Sequence, residues 1–174
     1  VKTRIRKLVS DDVGAYRELR LQALRESPTA FFSSFEEEAE FSIDKFAARL
    51  QPDGEAANGV FGAFSGAGRL IGILGFRRES RVKRAHVSIL WGMYVLPQFR
   101  GHHVGSSLLD EVLRHARQAG VRQVVLSVTA DNSAACGLYH SRGFERFGLE
   151  QDALHTDGRY FDEAHLALHF DHDA

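Results

Sequence analysis

The stretch W-G-M-Y-V-L-P-Q-F-R-G-H-H-V-G-S-S-L-L, residues 91–109, decides the fold. An apolar strand runs into a turn at Pro97, then into a short Arg/Gly-rich loop that opens a helix. That order builds an anion site. The first amides of a helix have no intrahelical partner, and the helix dipole adds partial positive charge at the same end. Gly101 and Gly105 let the backbone bend and approach a ligand closely. Arg100 adds a charge with forked donors. A phosphate or pyrophosphate suits such a place best.

Working outward, Thr3 to Leu8 alternates weakly and reads as a strand. Ser10 or Asp11 is placed to cap a helix that carries Val13, Tyr16, Leu19, Ala23 and Leu24 on one side, and Pro28 ends its influence. An aromatic and acidic stretch follows, with Phe31, Phe32, Phe35 and Glu36 to Glu38. Ser42 heads a second helix bearing Ile43, Phe46, Ala47 and Leu50 at helical spacing. After a polar loop at 51–59, Val60 to Phe64 and Leu70 to Phe76 pair across S-G-A-G, and Ala85 to Val95 is the third strand of the meander. Gly105 to Ala119 reads as a helix with Val104, Leu108, Val112 and Leu113 inward and Gly120 closing it. Val124 to Val128 is a buried strand, Ser133 to Arg142 a short helix, and Phe144 to Leu149 and Phe161 to Phe170 the last strands. The pattern predicts an α/β domain with a mixed, mostly antiparallel twisted sheet of about seven strands flanked by about four helices.

A length of 174 residues fits one domain, 1–174, with a real core, and no repeat or linker-like composition break divides it. A formal net charge of −1 gives no global field for nucleic acid or an anionic membrane. The single cysteine, Cys136, excludes an internal disulfide and suits a reducing compartment. No apolar run approaches the roughly 20 residues of a membrane span, and V-K-T-R-I-R-K lacks the apolar centre of a signal peptide. A cytoplasmic protein is expected.

A second pattern lies at 131–144, D-N-S-A-A-C-G-L-Y-H-S-R-G-F, with Asn132, Ala135, Tyr139, Gly143 and Phe144 as its fixed points. Together with Arg100, Gly101, His102, His103, Val104 and Gly105, it resembles the GCN5-related N-acetyltransferase (GNAT) family. The family's loop is Arg or Gln, two residues, Gly, one residue, then Gly or Ala; His103 stands where the central glycine belongs. A pyrophosphate cradle survives that change if His103 takes helical or near-helical geometry.

The resemblance implies an acetyl-CoA-dependent N-acetyltransferase, an acyltransferase moving groups other than aminoacyl groups, with acetyl-CoA as co-substrate and no metal. Met93, Tyr94 and Val95 would hold the pantetheine arm and acetyl carbonyl by their backbone. Arg100 to Ser106 would hold the pyrophosphate, Asn132 would contact the cofactor, and Tyr139 would sit by the sulfur and serve as the acid. The acceptor would be a primary amine of a small molecule or of a peptide or protein N-terminus, attacking directly in a ternary complex. The segment between the first two helices often lines the acceptor site in this family, which puts Phe31, Phe32 and Glu36 there. The 155–163 loop adds Tyr160. Acidic groups beside those rings would suit a cationic amine with an apolar portion. Many relatives pair into homodimers.

The amine must shed a proton, the oxyanion needs a donor, and the thiolate needs a proton or hydrogen bond. No carboxylate stands in Ala85 to Val95, and the position five before Asn132 is Ser127, so no glutamate base carries over from the family. His86, the Glu36 to Glu38 group or an ordered water are the alternatives. Asn132 doubles as a cap for the helix at Ser133, Cys136 reads as a small buried thiol, and Trp91 as core. Adjacent His102 and His103 lack a third ligand, and H-F-D-H-D at 169–173 reads as a polar tail. A dinucleotide fold would need G-x-G-x-x-G after the first strand, and a P-loop G-K-[ST]; neither is present. The competing class is a non-catalytic acyl-CoA-binding sensor or interaction module of the same fold.

Overall fold

The structure is a computed structural model, and it describes residues 2–50 and 57–170. Most of the loop expected at 51–59 and the end of the 169–173 tail lie outside the described residues. The strands are β1 (Thr3–Lys7), β2 (Gly59–Ser65), β3 (Leu70–Arg78), β4 (Val87–Val95), β5 (Gln123–Thr129), β6 (Glu145–Thr156) and β7 (Arg159–His169). The helices are α1 (Val13–Glu26), α2 (Phe35–Ala39), α3 (Ile43–Leu50), α4 (Val104–Gln118) and α5 (Ser133–His140). The strands form one seven-stranded sheet, ordered β1-β2-β3-β4-β5-β7-β6.

Among the described residues only β4 and β5 run parallel, and they pair over just Val87–Gln123, Ser88–Val124 and Ile89–Val125. Beyond Ile89 the two strands part. On its other edge β4 stays with β3 to Val95, through an irregularity where Gly75 pairs with Trp91 and Ile73 with Tyr94. The extra residue is accommodated at Gly92, whose φ of 66° suits a glycine. β3 is buried without alternation from Leu70 to Phe76, as expected of a strand covered on both faces. Helix α4 packs on β1 to β4, and α1 on β3. Rings of Phe61 and Phe76 meet the α4 residue His115 at 4.9 and 5.1 Å.

The element order matches the sequence reading with three corrections. A short helix, α2, forms in the acidic stretch because Ser34 and Glu37 make a reciprocal capping box. Neither Ser10 nor Asp11 caps α1; Asp12 precedes it, and its carboxylate instead takes Arg6 and the Val9 amide. The 155–163 segment is not a loop. β6 and β7 run through it and reverse at Asp157–Gly158, with φ of 51° and 71°, the Asp-Gly hairpin turn. Among the described residues, no helix is long and apolar enough to cross a membrane.

Candidate active site

The parting of β4 from β5 leaves backbone groups of the central strand without a sheet partner. The Leu96 amide donates to Ile71 of β3. By strand alternation Tyr94 also turns its backbone to β3, while Met93 and Val95 turn theirs into the gap. Of the three residues assigned to the pantetheine arm, Met93 and Val95 therefore offer their backbone groups and Tyr94 does not. The Tyr94 ring is buried, and its hydroxyl donates to Glu26 at the end of α1.

The 100–106 loop closes the top of the gap. Arg100 is exposed, and its Nε donates to the Val95 carbonyl at 2.9 Å, strapping the loop to the end of β4. The Arg100 carbonyl is 2.9 Å from His102 Nδ1. Gly101 has φ of 75° with open space around it. His103 lies at φ 61°, ψ 11°, the left-handed region, so the expected near-helical geometry is not what forms. Its Cβ notwithstanding, His103 adopts the conformation that a glycine supplies, and the first amides of α4 keep their outward aim. The His103 carbonyl accepts from the Ser107 amide at 3.0 Å and from Ser106 Oγ at 2.9 Å.

Gly105 marks where strand, loop and α5 converge. A Cβ there would lie 3.5 Å from Met93, 3.6 Å from Leu138 and 3.7 Å from Val95. Asn132 caps α5, accepting from the Ala135 amide at 3.1 Å. Tyr139 is buried with its ring edge-on to Phe144, and burial holds its hydroxyl well above the ordinary tyrosine range. It therefore stays a neutral donor at physiological pH. Burial likewise raises the Cys136 thiol, which disfavours the reactive thiolate.

On the other side of β4 lies a cavity of about 580 Å³, lined by Phe31, Phe32, Trp91, Gly92, three arginines, Ser127 and Glu163, among others. It reaches the strand at Gly92, one residue before Met93. Phe31 and Phe32, assigned to the acceptor from the sequence, both line this cavity. Trp91 lines the cavity rather than serving only as core, and its ring occupies the space that a Cβ on Gly75 would take. Glu36 and Tyr160 do not line it. Glu36 sits on the exposed side of the single turn of α2, and Tyr160, 63% exposed, stacks on His155 near the hairpin end. Phe35 packs under Arg25, with 3.9 Å between guanidinium and ring.

Glu38, not Glu36, turns inward. Its fully buried carboxylate receives Arg20 at 3.0 and 2.7 Å and Arg49 at 2.9 and 3.1 Å. Burial alone would raise its pKa, but the two guanidiniums outweigh that and bring it down to about 2. So weak a base takes no proton from an amine. His86 is exposed, precedes β4 and does not line the cavity.

Glu163 of β7 is the carboxyl that sequence reasoning missed. It is buried in the cavity wall, and burial raises its pKa, against smaller opposing effects of Thr129 and His165. Thr129 Oγ lies 2.5 Å from the Thr29 carbonyl and 3.1 Å from Glu163 Oε1. A threonine has one proton, and a carbonyl can only accept it. Thr129 therefore shares that proton between the two acceptors, and the part directed at Glu163 favours the ionised carboxylate, against the larger effect of burial. Beside it, Ser127 Oγ is 2.8 Å from His165 Nδ1, and His165 Nε2 is 3.3 Å from Glu150. The β5–β7 register sets both pairs, Thr129 against Glu163 and Ser127 against His165.

The site is thus a strand gap closed by a helix N-terminus, with a cavity meeting it at a bulge. The profile of the Acetyltransferase (GNAT) family matches residues 21–144, and the chain belongs to that family. It is 39% identical over 101 residues to the N-alpha-acetyltransferase RimI of Mycobacterium tuberculosis, covering 58% of this chain and 61% of that protein. It is 29% identical over 126 residues to the mycothiol acetyltransferase of Saccharomonospora viridis, covering 70% and 40%. The matches thus span 40–61% of the length of these two curated relatives. Among solved structures, yncA of Salmonella typhimurium, with its cofactor acetyl-CoA, superposes with a TM-score of 0.86 at 22% identity, over 100% of this chain and 97% of that one. The ribosomal-protein-alanine N-acetyltransferase of Brucella melitensis gives 0.82 at 21%, over 96% and 99%. At those identities the likeness speaks for the fold.

Proposed function

We propose that this chain is an acetyl-CoA-dependent N-acetyltransferase working in the cytoplasm on a primary amine, by direct attack in a ternary complex. The observation that carries it is the gap between β4 and β5, open from Met93 to Val95, with the α4 loop at one end and the cavity at Gly92 on the other side. The pyrophosphate lies on the amides opening α4 with Arg100 beside it. The pantetheine arm pairs with Met93 and Val95, and Asn132 borders the thiol end.

The amine enters through the cavity and must be a free base to attack. Glu163 accepts its proton, directly or through water, in the ionised fraction of its raised titration. Ser127, backed by His165 and Glu150, carries that proton outward. The C–N bond forms as the carbonyl becomes an oxyanion, which the Met93 amide stabilises. The C–S bond then breaks, and Tyr139 hydrogen-bonds the departing thiolate. Its hydroxyl titrates above an ordinary thiol at about 8.5, so it donates a hydrogen bond rather than surrendering its proton outright.

The test is calorimetric titration with acetyl-CoA on the unaltered protein and on Arg100→Ala and Tyr139→Phe. Binding that weakens in Arg100→Ala and persists in Tyr139→Phe, with turnover lost in the latter, is the expected result. Failure to bind acetyl-CoA or CoA overturns the proposal. Unchanged turnover in Tyr139→Phe removes the role at sulfur.

A further inference from the structure

The cavity wall carries an imbalance of charge. Its ionisable side chains are Arg20, Arg49, Arg77 and Glu163. Behind Arg20 and Arg49 stands Glu38, one carboxylate shared by two guanidiniums. Among the described residues, Glu38 thus leaves one positive charge of this pair without a counter-charge, before the exposed Arg77 is counted. Glu163 is the one carboxyl of the described lining, and its burial disfavours the ionised form that would offset this charge. A buried charge without a counter-charge is costly, and a ligand that brings the missing anion recovers that energy.

The surplus is also placed. The Arg20 side chain is 6% exposed, and its Nη1 has no hydrogen-bond partner among the described residues. A Cβ on Gly92 would lie 3.4 Å from that nitrogen, so the orphaned donor sits at the β4 bulge. Phe31 covers the Arg20 guanidinium face, 4.6 Å from ring centre to guanidinium carbon, and Trp91 lies 5.9 Å from Arg49. The rings shield the planar faces and leave the edges, where guanidinium N–H groups donate. Arg49, 24% exposed, also lines the cavity.

We infer that the acceptor is an amine bearing a carboxylate close to its nucleophilic nitrogen, a free α-amino acid with an apolar side chain. This rests on the acetyl-transfer reading of the same site. The carboxylate lies against Arg49 and the Arg20 edge near Gly92, and Phe31, Phe32 and Trp91 receive the side chain. Two bonds separate amine from carboxyl carbon in an α-amino acid, so both groups fit about the bulge. A peptide N-terminus lacks this anion, because its carboxyl is consumed in the first peptide bond.

The experiment uses the whole protein with CoA or acetyl-CoA. L-leucine, L-methionine and L-phenylalanine are compared with their carboxamides and with the dipeptides each forms with glycine at its C-terminal side. Calorimetry on the CoA complex and thiol release from acetyl-CoA are the readouts. At least one free acid is expected to bind and turn over, with its carboxamide about tenfold or more weaker, as for loss of a charge-assisted hydrogen bond. In Arg49→Gln the acid-to-amide preference collapses while CoA affinity holds, and Arg49→Lys restores part of it. Amides or dipeptides equal to or better than the acids overturn the inference. So does failure of all acids on a protein that binds CoA. Loss of CoA binding itself instead sinks the transferase proposal, which keeps the two failures apart. The acid-to-amide comparison on the unaltered protein stands even if the Arg49 variants do not fold.

Discussion

At the scale of single residues, two side chains carry tension between fold and use. His103 occupies a left-handed conformation that costs a non-glycine residue about 1–2 kcal/mol, at the position where the family has glycine. His103→Gly is therefore expected to raise stability by about 1 kcal/mol, read as a shift in denaturant midpoint, with acetyl-CoA affinity kept. A loss of affinity would mean that the imidazole itself holds phosphate. Glu163 is the other. Its titration lies above the ordinary glutamate range, and only its ionised form accepts a proton. Turnover is expected to fall as pH drops through that raised value, and Glu163→Gln is expected to abolish this limb along with about 10²-fold or more of kcat, as for loss of a general base. A limb that survives the substitution would belong to the acceptor amine.

At the scale of elements, the sequence was legible where a pattern is local. Alternation and helical spacing found the strands and the four longer helices. The five-residue α2 is too short to show a period, and only its Ser34–Glu37 cap marks it. The cavity beside Gly92 was less readable because long-range pairing makes it. Arg20 meets Glu38 across 18 residues, and Thr129 meets Glu163 across 34. Trp91 and Gly75 give the same lesson between β3 and β4. A Cβ at Gly75 would fall 2.1 Å from the indole, so the glycine exists for the ring. Gly75→Ala is expected to cost about 1–3 kcal/mol by overpacking. It should also raise KM for the acceptor, with CoA binding little changed. Equal damage to both affinities would place Trp91 outside the acceptor cavity's work.

At the scale of the whole molecule, Arg20 of α1, Glu38 of α2 and Arg49 of α3 tie the three N-terminal helices into one unit. Glu38 titrates near about 2 instead of the ordinary 4.5. A carboxylate lowered in the folded state stabilises the protein above its unfolded pKa, and that stability is lost as pH falls toward the folded value. The difference is on the order of 3 kcal/mol, to be lost between about pH 4.5 and pH 2. Chemical denaturation across that range, with Glu38→Gln lacking the corresponding slope, is the check. A slope unchanged in the variant would assign acid sensitivity elsewhere.

The short seam between β4 and β5 has a mechanical meaning. Three residue pairs join a four-stranded half to a three-stranded half. The middle of the sheet thus contains two inner margins, and the amides of Met93 and Val95 stand on one of them. Deuterium is expected to enter there as fast as at an outermost strand, although the residues lie at the geometric centre. A ligand filling the gap would act as an eighth strand, splicing the halves and slowing that uptake across the seam.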